Sequence, residues 1–474
     1  MNVYYSEIKG KGKILIEKFL PTLYTSPMKT LKELGLRVPE ILLPAATPLN
    51  KWSVIACDQY TQDLDYWKKA EAAAGDGPST LNLILPEVYL NSPDKAERIA
   101  KIRRTMKEYL AGDVFAPAFN GFVYIERKTA FGRMRRGLVA QIDLETYEWK
   151  PFSKANIRAT EATIVDRIPP RKEIRKGAPL ELPHIMLLVN DKDDLLVGGA
   201  EKLTAGAGRK PLYQGDLMCK GGSITGWGLS SDADIAAVTD SLNKIASANT
   251  AADGSTFLFA VGDGNHSLAT AKAVWDEYKA ELIAGGAAEA ELAENPVRFA
   301  LIEVVNIYDK GLTFEPIHRV IFNVDADALI KALAAALGGS VSQVAGQSEL
   351  EEAVRASSAD FGFDYLDEDG AQKFVLLRTP IKELAVSRLQ PEIDKFLKDA
   401  GTGAAAPEID YIHGTEEVLG LGKKPGAVGI LLPPIAKDSF FETINGRGPL
   451  PRKSFSMGEA DEKRFYLECR KLFP

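Results

Sequence analysis

The chain has 474 residues, 45% apolar and 26% charged, so it can bury at least one large core, and its length predicts two or three domains. Its 58 Lys and Arg against 65 Asp and Glu give a net charge of -7, which excludes a global electrostatic attraction to nucleic acid or to an anionic membrane. The three cysteines, Cys57, Cys219 and Cys469, are too widely spaced for a disulfide framework or a thiolate zinc site.

The compartment can be predicted from what the sequence lacks. The first 20 residues contain no apolar stretch typical of a signal peptide, and no run approaches the roughly 20 apolar residues that span a bilayer. We therefore expect a protein of the reducing cytoplasm, with no membrane partner and no strong case for nucleic acid. The sequence leaves the oligomeric state open.

Residues 1–150 predict an N-terminal α+β region. Apolar alternation, helix caps and a glycine-containing turn mark its elements. The predicted elements are a buried strand at 53–57, helices at 63–74 and 92–112 with Ser92 as the N-cap of the second, and a hairpin of strands at 121–129 and 135–149.

A central region is predicted for residues 151–324. Its first part is rich in arginine and proline and predicts a loop, a short helix and a buried strand at 184–189. The glycine-rich stretch 210–230 is expected to be irregular. The helix at 232–249 and the strand at 256–263 then lead to the segment "VGDGNHSLATAK".

This segment, residues 261–272, predicts a turn from a strand into a helix. Free backbone N–H groups and the positive end of a helix dipole would lie at such a turn, and Gly264 would let a phosphate approach closely. Asp263 could bind Mg²⁺ or accept a proton, and Asn265, His266 and Ser267 could donate to phosphate oxygens. The alternative is structural: Asn265 or Ser267 caps the helix and His266 packs on the strand.

The Arg- and Glu-rich segment 158–175 has two interpretations as well. A solvated charged face is the usual explanation of such a run. However, Glu161 lies between small residues, and Arg167 and Arg171 recur with Arg175 at every fourth position. Arginine forks bind phosphate, and Glu161 could act as a general base toward a hydroxyl group.

The four histidines offer a further hypothesis. His184 lies within an apolar strand and is predicted to be structural. His266, His318 and His413 are candidates for a shared site, although no spacing typical of a zinc site occurs.

Two regions complete the predicted organisation. An Ala-rich helix, a second helix at 348–358 and a strand at 373–380 predict a small α+β subdomain at 325–400, and residues 401–474 are expected to complete the core. The break at 398–408 is predicted to be a loop.

Motifs along most of the chain resemble those of the bacterial and archaeal family of domain of unknown function 1015. They occur in the family's order: "RRGLVAQIDLETY", "RATEAT", "PHIMLLVND", "GDGNHSLATA", "GLTFEPIHRV", "DYIHGTEE" and "LPRKSF". The family's usual central motif is Ala-Asp-Gly-His-His-Arg. Asp263, Gly264 and His266 match it, whereas Asn265 replaces a histidine and Ser267 an arginine. Thr160 likewise replaces a histidine before Glu161.

That motif is similar to the phosphate-binding turn of the ParB and sulfiredoxin-like superfamily, which includes free-serine kinases. The resemblance implies an α+β fold with mixed sheets, flanking helices and a ParB/sulfiredoxin-like core, and it implies nucleotide binding. It leads to the hypothesis of a phosphotransferase that uses Mg²⁺ and a purine nucleotide, ADP or ATP, on a small serine-like metabolite.

In this hypothesis the turn from Gly264 to Ser267 holds phosphate, and Asp263 binds metal or orients the acceptor. His266 stabilises developing charge and Glu161 is the base. The positive charge comes from four residues: Arg167, Arg171, Arg319 and Lys453. Two alternatives are a non-catalytic nucleotide-binding regulator or partner-binding module, and a metal-dependent hydrolase built on the three histidines with Asp263.

Overall fold

A computed structural model describes residues 28–205, 208–400 and 406–473. The N-terminal stretch examined for a signal peptide and much of the loop predicted at 398–408 lie outside these residues. The described chain contains α-helices that flank β-sheets. They are α1 Leu49–Trp52, α2 Leu64–Ala74, α3 Lys95–Ala111, α4 Ile168–Arg175, α5 Val197–Ala205, α6 Asp232–Ala248, α7 Asn265–Ala284, α8 Glu289–Glu294, α9 Ala326–Leu337, α10 Gln347–Arg355, α11 Ala385–Asp399, α12 Thr415–Gly422 and α13 Lys437–Arg447.

The strands alternate with these helices along the chain. They are β1 Leu36–Arg37, β2 Glu40–Ile41, β3 Val54–Ile55, β4 Phe119–Asn120, β5 Phe122–Lys128, β6 Met134–Asp143, β7 Tyr147–Glu148, β8 Ile157–Ala159, β9 Leu180–Glu181, β10 Met186–Val189, β11 Tyr213–Asp216, β12 Ser223–Leu229, β13 Phe259–Asp263, β14 Phe299–Asn306, β15 Phe314–Pro316, β16 His318–Phe322, β17 Ser340–Gln343, β18 Phe361–Leu366, β19 Gln372–Arg378, β20 Glu408–Ile412, β21 Val428–Leu431, β22 Phe455–Met457, β23 Phe465–Tyr466 and β24 Arg470–Lys471.

The larger sheet has ten strands and is mixed. Its order is β11-β12-β5-β6-β14-β10-β13-β8-β7, and β1 pairs with β6. Strands β10 and β13 are antiparallel to each other, while β10 runs parallel to β14 and β13 runs parallel to β8. The parallel pair of β13 and β8 places the ends of the "GDGNHS" and "RATEAT" strands at the same edge of the sheet.

Both faces of this sheet are covered, which explains the continuous apolar character of its central strands. Phe122 and Tyr124 of β5 pack in one core with residues of α5, α6 and α7. Val123 and Ile125 point to the other face and pack in a core with α1, α2 and α3. The alternation of side chains along one strand therefore serves two cores.

The smaller sheet is antiparallel and has the order β17-β19-β18-β21-β16-β20. One face packs against α9 and α11, and the other packs against α10 and α12. Strands β16, β20 and β21 belong to this sheet, so it extends beyond both ends of the subdomain predicted at residues 325–400.

After the smaller sheet is complete, the C-terminal segment forms three two-stranded sheets with earlier parts of the chain. Strand β22 pairs with β15, β23 pairs with β3, and β24 pairs with β9. Arg464 lies in this segment and is buried, with its Nε 2.8 Å from Glu303 Oε2 and its Nη2 2.9 Å from Glu468 Oε2. The C-terminal segment is thus tied to β3, β9 and the larger sheet, which come from earlier parts of the described chain.

The predicted α+β class with mixed sheets and flanking helices is confirmed. The expectation of an irregular stretch at 210–230 was wrong, because β11 and β12 extend the larger sheet. Gly226 and Gly228 belong to β12, and a Cβ at either would lie within 2.5 Å of the rings of Tyr213 and Phe119, respectively. These glycines make room for aromatic packing and do not break the strand.

Helix α3 also begins later than the caps predicted. Its N-cap is Asp94 rather than Ser92. The Ser92 hydroxyl donates to the carbonyl of Tyr89 at 2.8 Å and so belongs to the preceding turn. Among the helices of the described ranges, none has the length and apolar character required to cross a membrane.

Candidate active site

The site is built on the turn between β13 and α7. Gly264 is the N-cap residue of α7 and has a φ of 82°, the left-handed region that favours glycine. A Cβ at this position would also lie 3.0 Å from Cγ1 of Ile185. No side chain caps the helix start, so its first-turn N–H groups remain available to a ligand.

A cleft of about 790 Å³ opens onto this turn. Its charged lining comes from distant parts of the chain, including the loop after β3, the start of α4 and the C-terminal segment. The cationic side chains are Arg167, Arg171, Lys453 and Lys463, and the acidic ones are Asp58, Glu87, Glu161, Asp166 and Asp263. Backbone N–H groups, cations and carboxylates therefore share one enclosure.

Glu161 lies directly beyond β8, where it forms an isolated parallel bridge with Leu450. Its Oε1 accepts a hydrogen bond from the backbone N–H of Ser454 at 3.3 Å. Burial, together with the charge of Asp263, raises the pKa of Glu161 to about 7 against the opposing effects of Ser454 and Lys453. A carboxyl group with this pKa can accept a proton near neutral pH.

Asp263 ends β13, and both of its carboxylate oxygens have a neighbour. Oδ2 lies 3.4 Å from Nζ of Lys463, and Oδ1 accepts the N–H of Gly264 at 3.0 Å. The side chain of Lys463 is 12% exposed, so this ion pair is largely shielded from bulk solvent. The sequence analysis missed Lys463, because no local pattern in "ADEKRFY" marks it.

Asn265 ties the two strand ends together. Its Oδ1 accepts the N–H of Thr160 and its Nδ2 donates to the Thr160 hydroxyl, both at 3.2 Å. The same hydroxyl donates to the carbonyl of Val261 at 2.6 Å. The Asn265 side chain is therefore committed to the protein, and its contribution to a phosphate site is restricted to its backbone N–H.

His266 is held as a neutral ring. Its Nε2 accepts the N–H of Ile164 at 3.3 Å. Burial, together with the charges of Arg167 and Arg171, lowers the pKa of His266 to about 4. With Nε2 used as an acceptor, Nδ1 carries the hydrogen that can be donated.

Ser267 makes a contact that the sequence did not predict. Its Oγ lies 2.8 Å from Nε2 of His184, and Nδ1 of His184 lies 2.9 Å from the hydroxyl of Tyr466. His184 is buried, as predicted for a structural residue, but it connects the phosphate turn to the C-terminal segment. The signal was missed because the neighbours of His184 in sequence are apolar.

The predicted cations divide into two groups. Arg167, which is exposed, and Lys453, with a φ of 58°, line the cleft. Arg171 also lines it, but its Nε donates to Oε1 of Glu87 at 2.9 Å, which neutralises its charge locally. Arg319 does not line the cleft: it is fully buried, and its Nε donates to Oε1 of Gln390 at 2.9 Å.

The three candidate histidines do not form one cluster. His266 and His413 both line the cleft, whereas His318 lines a separate cavity and its Nδ1 accepts the N–H of Leu432 at 3.0 Å. Within residues 28–205, 208–400 and 406–473, no group of three His, Cys, Asp or Glu side chains is arranged to hold a metal ion. The geometry of these residues therefore gives no support to the metal-dependent hydrolase.

Three solved structures are similar to this chain at low identity. A conserved hypothetical protein from Pyrococcus furiosus is 12% identical, with a TM-score of 0.33 over 71% of this chain and 95% of that one. A free serine kinase in complex with AMP is 12% identical, with a TM-score of 0.33 over 69% and 90% of the two chains. SbnI from Staphylococcus aureus, truncated at its C-terminus, is 9% identical, with a TM-score of 0.32 over 68% and 83%.

The comparison with curated proteins yields no match. The comparison with family models gives a match over residues 41–396, which include β8, the turn from β13 into α7, and most of the smaller sheet. The chain belongs to the family described as protein of unknown function, DUF1015.

Proposed function

We propose that this protein is a phosphotransferase that moves a phosphoryl group from a purine nucleotide to a small hydroxylated metabolite, with serine as the model acceptor. The observation that carries the proposal is that Glu161, whose pKa is about 7, opens onto the same cleft as the uncapped start of α7. A base and an anion site are thus combined in one enclosure.

The first step is phosphate binding. Helix α7 has 20 residues, so its dipole and its free first-turn N–H groups favour an anion at Gly264 to Ser267. Arg167, Lys453 and Lys463 add positive charge from the cleft wall. The motif that this chain resembles has an arginine at the position of Ser267. Here the main-chain N–H groups, together with these cations, would neutralise the phosphate instead.

The second step is transfer. The acceptor's hydroxyl oxygen attacks the terminal phosphorus, its proton passes to a carboxylate oxygen of Glu161, and the bond from phosphorus to the leaving nucleotide oxygen breaks. A base with a pKa near the working pH is suited to this proton transfer. The cleft has about 790 Å³, in the upper part of the 300 to 1,000 Å³ of a typical ligand pocket, which suits a nucleotide with a small acceptor beside it.

Asp263 is the residue that fits Mg²⁺ best. Protein sites for this ion usually supply one or two carboxylates and leave the remaining ligands to phosphate and water, so a cage of three acidic side chains is not required. Asp263 would hold the ion together with the nucleotide phosphates, and Lys463 would then move from Asp263 to a phosphate oxygen. The ion, when bound, would neutralise phosphate charge.

The test combines calorimetric binding of ADP and ATP, with and without Mg²⁺, and transfer of labelled phosphate to serine and other small alcohols. Glu161→Gln should keep nucleotide affinity within about threefold and lower turnover by at least about 100-fold, because it removes only the base. Arg167→Gln should weaken nucleotide binding about tenfold, which is the effect of losing one phosphate contact.

Lys272→Gln is the matched control. Lys272 lies on α7 but pairs with Asp276 at 2.8 Å and does not line the cleft, so its loss should leave binding unchanged. Tight nucleotide binding without transfer to any alcohol would favour the regulatory alternative. Absence of nucleotide binding, or full turnover by Glu161→Gln, would contradict the proposal.

A further inference from the structure

A second cavity, of about 140 Å³, lies beside the cleft and has a different character. Most of its wall is apolar, including Leu83, Leu85, Met106, Ile174 and Leu180. Four residues line both spaces and so mark the border between them: Glu87, Leu90, Arg171 and Ser267. A polar, charged cleft therefore meets an apolar cavity at the hydroxyl group of Ser267.

At this border Ser267 faces a base. Nε2 of His184 lies 2.8 Å from the Ser267 Oγ, which is the distance expected between a hydroxyl nucleophile and the group that accepts its proton. His184 lines the apolar cavity, as do Tyr466 and Cys57. Hydrogen bonds along the cavity wall join four side chains in order: Ser267, His184, Tyr466 and Cys57.

The hydrogen bonds of Tyr466 decide which nitrogen of His184 is free to act as a base. The Tyr466 hydroxyl donates to Sγ of Cys57 at 3.1 Å and accepts the Cys57 N–H at 3.2 Å. With its single hydrogen already donated, the hydroxyl can only accept from Nδ1–H of His184. Nε2 is then unprotonated and faces Ser267.

Two further features could stabilise the charges that would develop if Ser267 acted as a nucleophile and His184 as its base. Ser267 lies in the first turn of α7, so the free N–H groups of that turn are available to an oxyanion beside its Oγ. Oδ2 of Asp58 lies 3.9 Å from Nε2 of His184, where it would stabilise the imidazolium formed when Nε2 gains a proton.

From this arrangement we infer that Ser267 and His184 form a nucleophile and base that cleave carboxylic esters whose acyl chain occupies the apolar cavity. The Ser267 oxygen attacks the ester carbonyl carbon and its proton moves to Nε2 of His184. The alcohol leaves with that proton, giving a serine ester. Water then attacks the serine ester with His184 as base, which releases the carboxylic acid and restores Ser267. Tyr466 is a positioning residue for His184.

The test uses the full chain, without nucleotide, and a fluorophosphonate probe that forms a bond between serine oxygen and phosphorus as fluoride leaves. Peptide mass spectrometry of the labelled protein should identify Ser267. His184→Gln should slow labelling by at least about 100-fold, since the base is lost. Hydrolysis of p-nitrophenyl esters should rise from acetate to longer acyl chains as the apolar cavity fills.

Ser247→Ala is the control. Ser247 lies on α6, where its hydroxyl donates to the carbonyl of Asn243 at 2.9 Å, and its loss should not change labelling. Tyr466→Phe should shift the pH profile of labelling, because Nδ1–H of His184 loses its acceptor. Mapping the label on the parent protein does not depend on any variant folding. No label at Ser267, or equal labelling of His184→Gln with an unchanged melting temperature, would overturn the inference.

Discussion

Glu161 and His266 line the same cleft, and in both burial disfavours the charged form. The pKa of the acid rises to about 7, while that of the histidine falls to about 4. At neutral pH the histidine is therefore uncharged, and the carboxyl group is close to its midpoint. Burial thus shifts the two pKa values in opposite directions. At neutral pH the Glu161 carboxyl group, and not the His266 ring, can exchange a proton.

Replacement of Glu161 by glutamine should change how stability depends on pH. The pKa of this group is about 7 in the folded protein, against 4.5 as its ordinary value, so the folded state binds more protons between these pH values. The stability that the acid contributes is complete below pH 4.5 and is lost as the pH rises through 7. The Glu161→Gln variant has no acid at this position, so it should not lose this stability as the pH rises.

A shift of this size corresponds to about 3 kcal/mol for a fully buried group. Because Glu161 stays partly accessible from the cleft, we expect the Glu161→Gln variant to gain about 1 to 2 kcal/mol over the parent between pH 4.5 and pH 8. Urea denaturation of both proteins at the two pH values measures the difference. Identical pH dependence of the two proteins would show that Glu161 has an ordinary pKa.

At the scale of elements, the contact between Asn265 and Thr160 joins the start of α7 to the end of β8. These are two of the positions at which the chain departs from the motif it resembles, and here they contact each other. The contact holds the start of α7 against the strand end that precedes Glu161.

A double-mutant cycle of Asn265→Ala and Thr160→Val should detect this coupling. Asn265→Ala should lower the free energy of unfolding by about 1 to 2 kcal/mol, because it leaves the Thr160 N–H without its acceptor and removes the hydrogen bond that Nδ2 donates to the Thr160 hydroxyl. In the Thr160→Val background the same change should cost at least about 0.5 kcal/mol less. Chemical denaturation of the four proteins gives both values.

Thr239→Val on α6 provides the reference for independent sites, since the Thr239 hydroxyl donates to the carbonyl of Ile235 within the same helix. Combined with Asn265→Ala, it should show additive effects. If Thr160→Val were equally additive with Asn265→Ala, the two residues would not form the junction described here.

At the scale of the whole molecule, the C-terminal segment completes the site. It contributes Lys453, Lys463 and Tyr466, and its three short strands pair with β15, β3 and β9. Arg464 anchors it to the larger sheet through Glu303 of β14 and also pairs with Glu468 of the same segment; both carboxylates are 1% exposed. The cleft therefore forms only when this segment has packed against parts of the chain that lie far from it in sequence.

Arg464→Met should destabilise the protein by about 3 to 5 kcal/mol, because it leaves two buried carboxylates without their shared cation. Arg452→Met, at an exposed position in the same segment, should change stability by no more than about 0.5 kcal/mol. Unfolding of both variants in denaturant gives the comparison. A small effect of Arg464→Met would mean that the buried ion pairs of Arg464 contribute little to holding the segment in place.

Some features were predictable because they depend on neighbours in sequence. The turn from strand to helix at Gly264 and the hairpin of β5 and β6 follow from local spacing and turn chemistry. The strands β11 and β12 were missed because their glycines are explained by the rings of Tyr213 and Phe119, which pack from elsewhere in the chain.

The sequence by itself determined the α+β class and the residues of the turn, since periodicity and glycine conformation are local properties. Only the tertiary structure decided which charges serve the site: it placed Arg167 and Lys453 on the cleft, buried Arg319 against Gln390, and neutralised Arg171 with Glu87. It also brought His184 and Lys463 to the turn. Burial and ion pairing depend on contacts between residues far apart in the chain. Burial and pairing in turn decide whether a side chain is charged and which atoms it can contact.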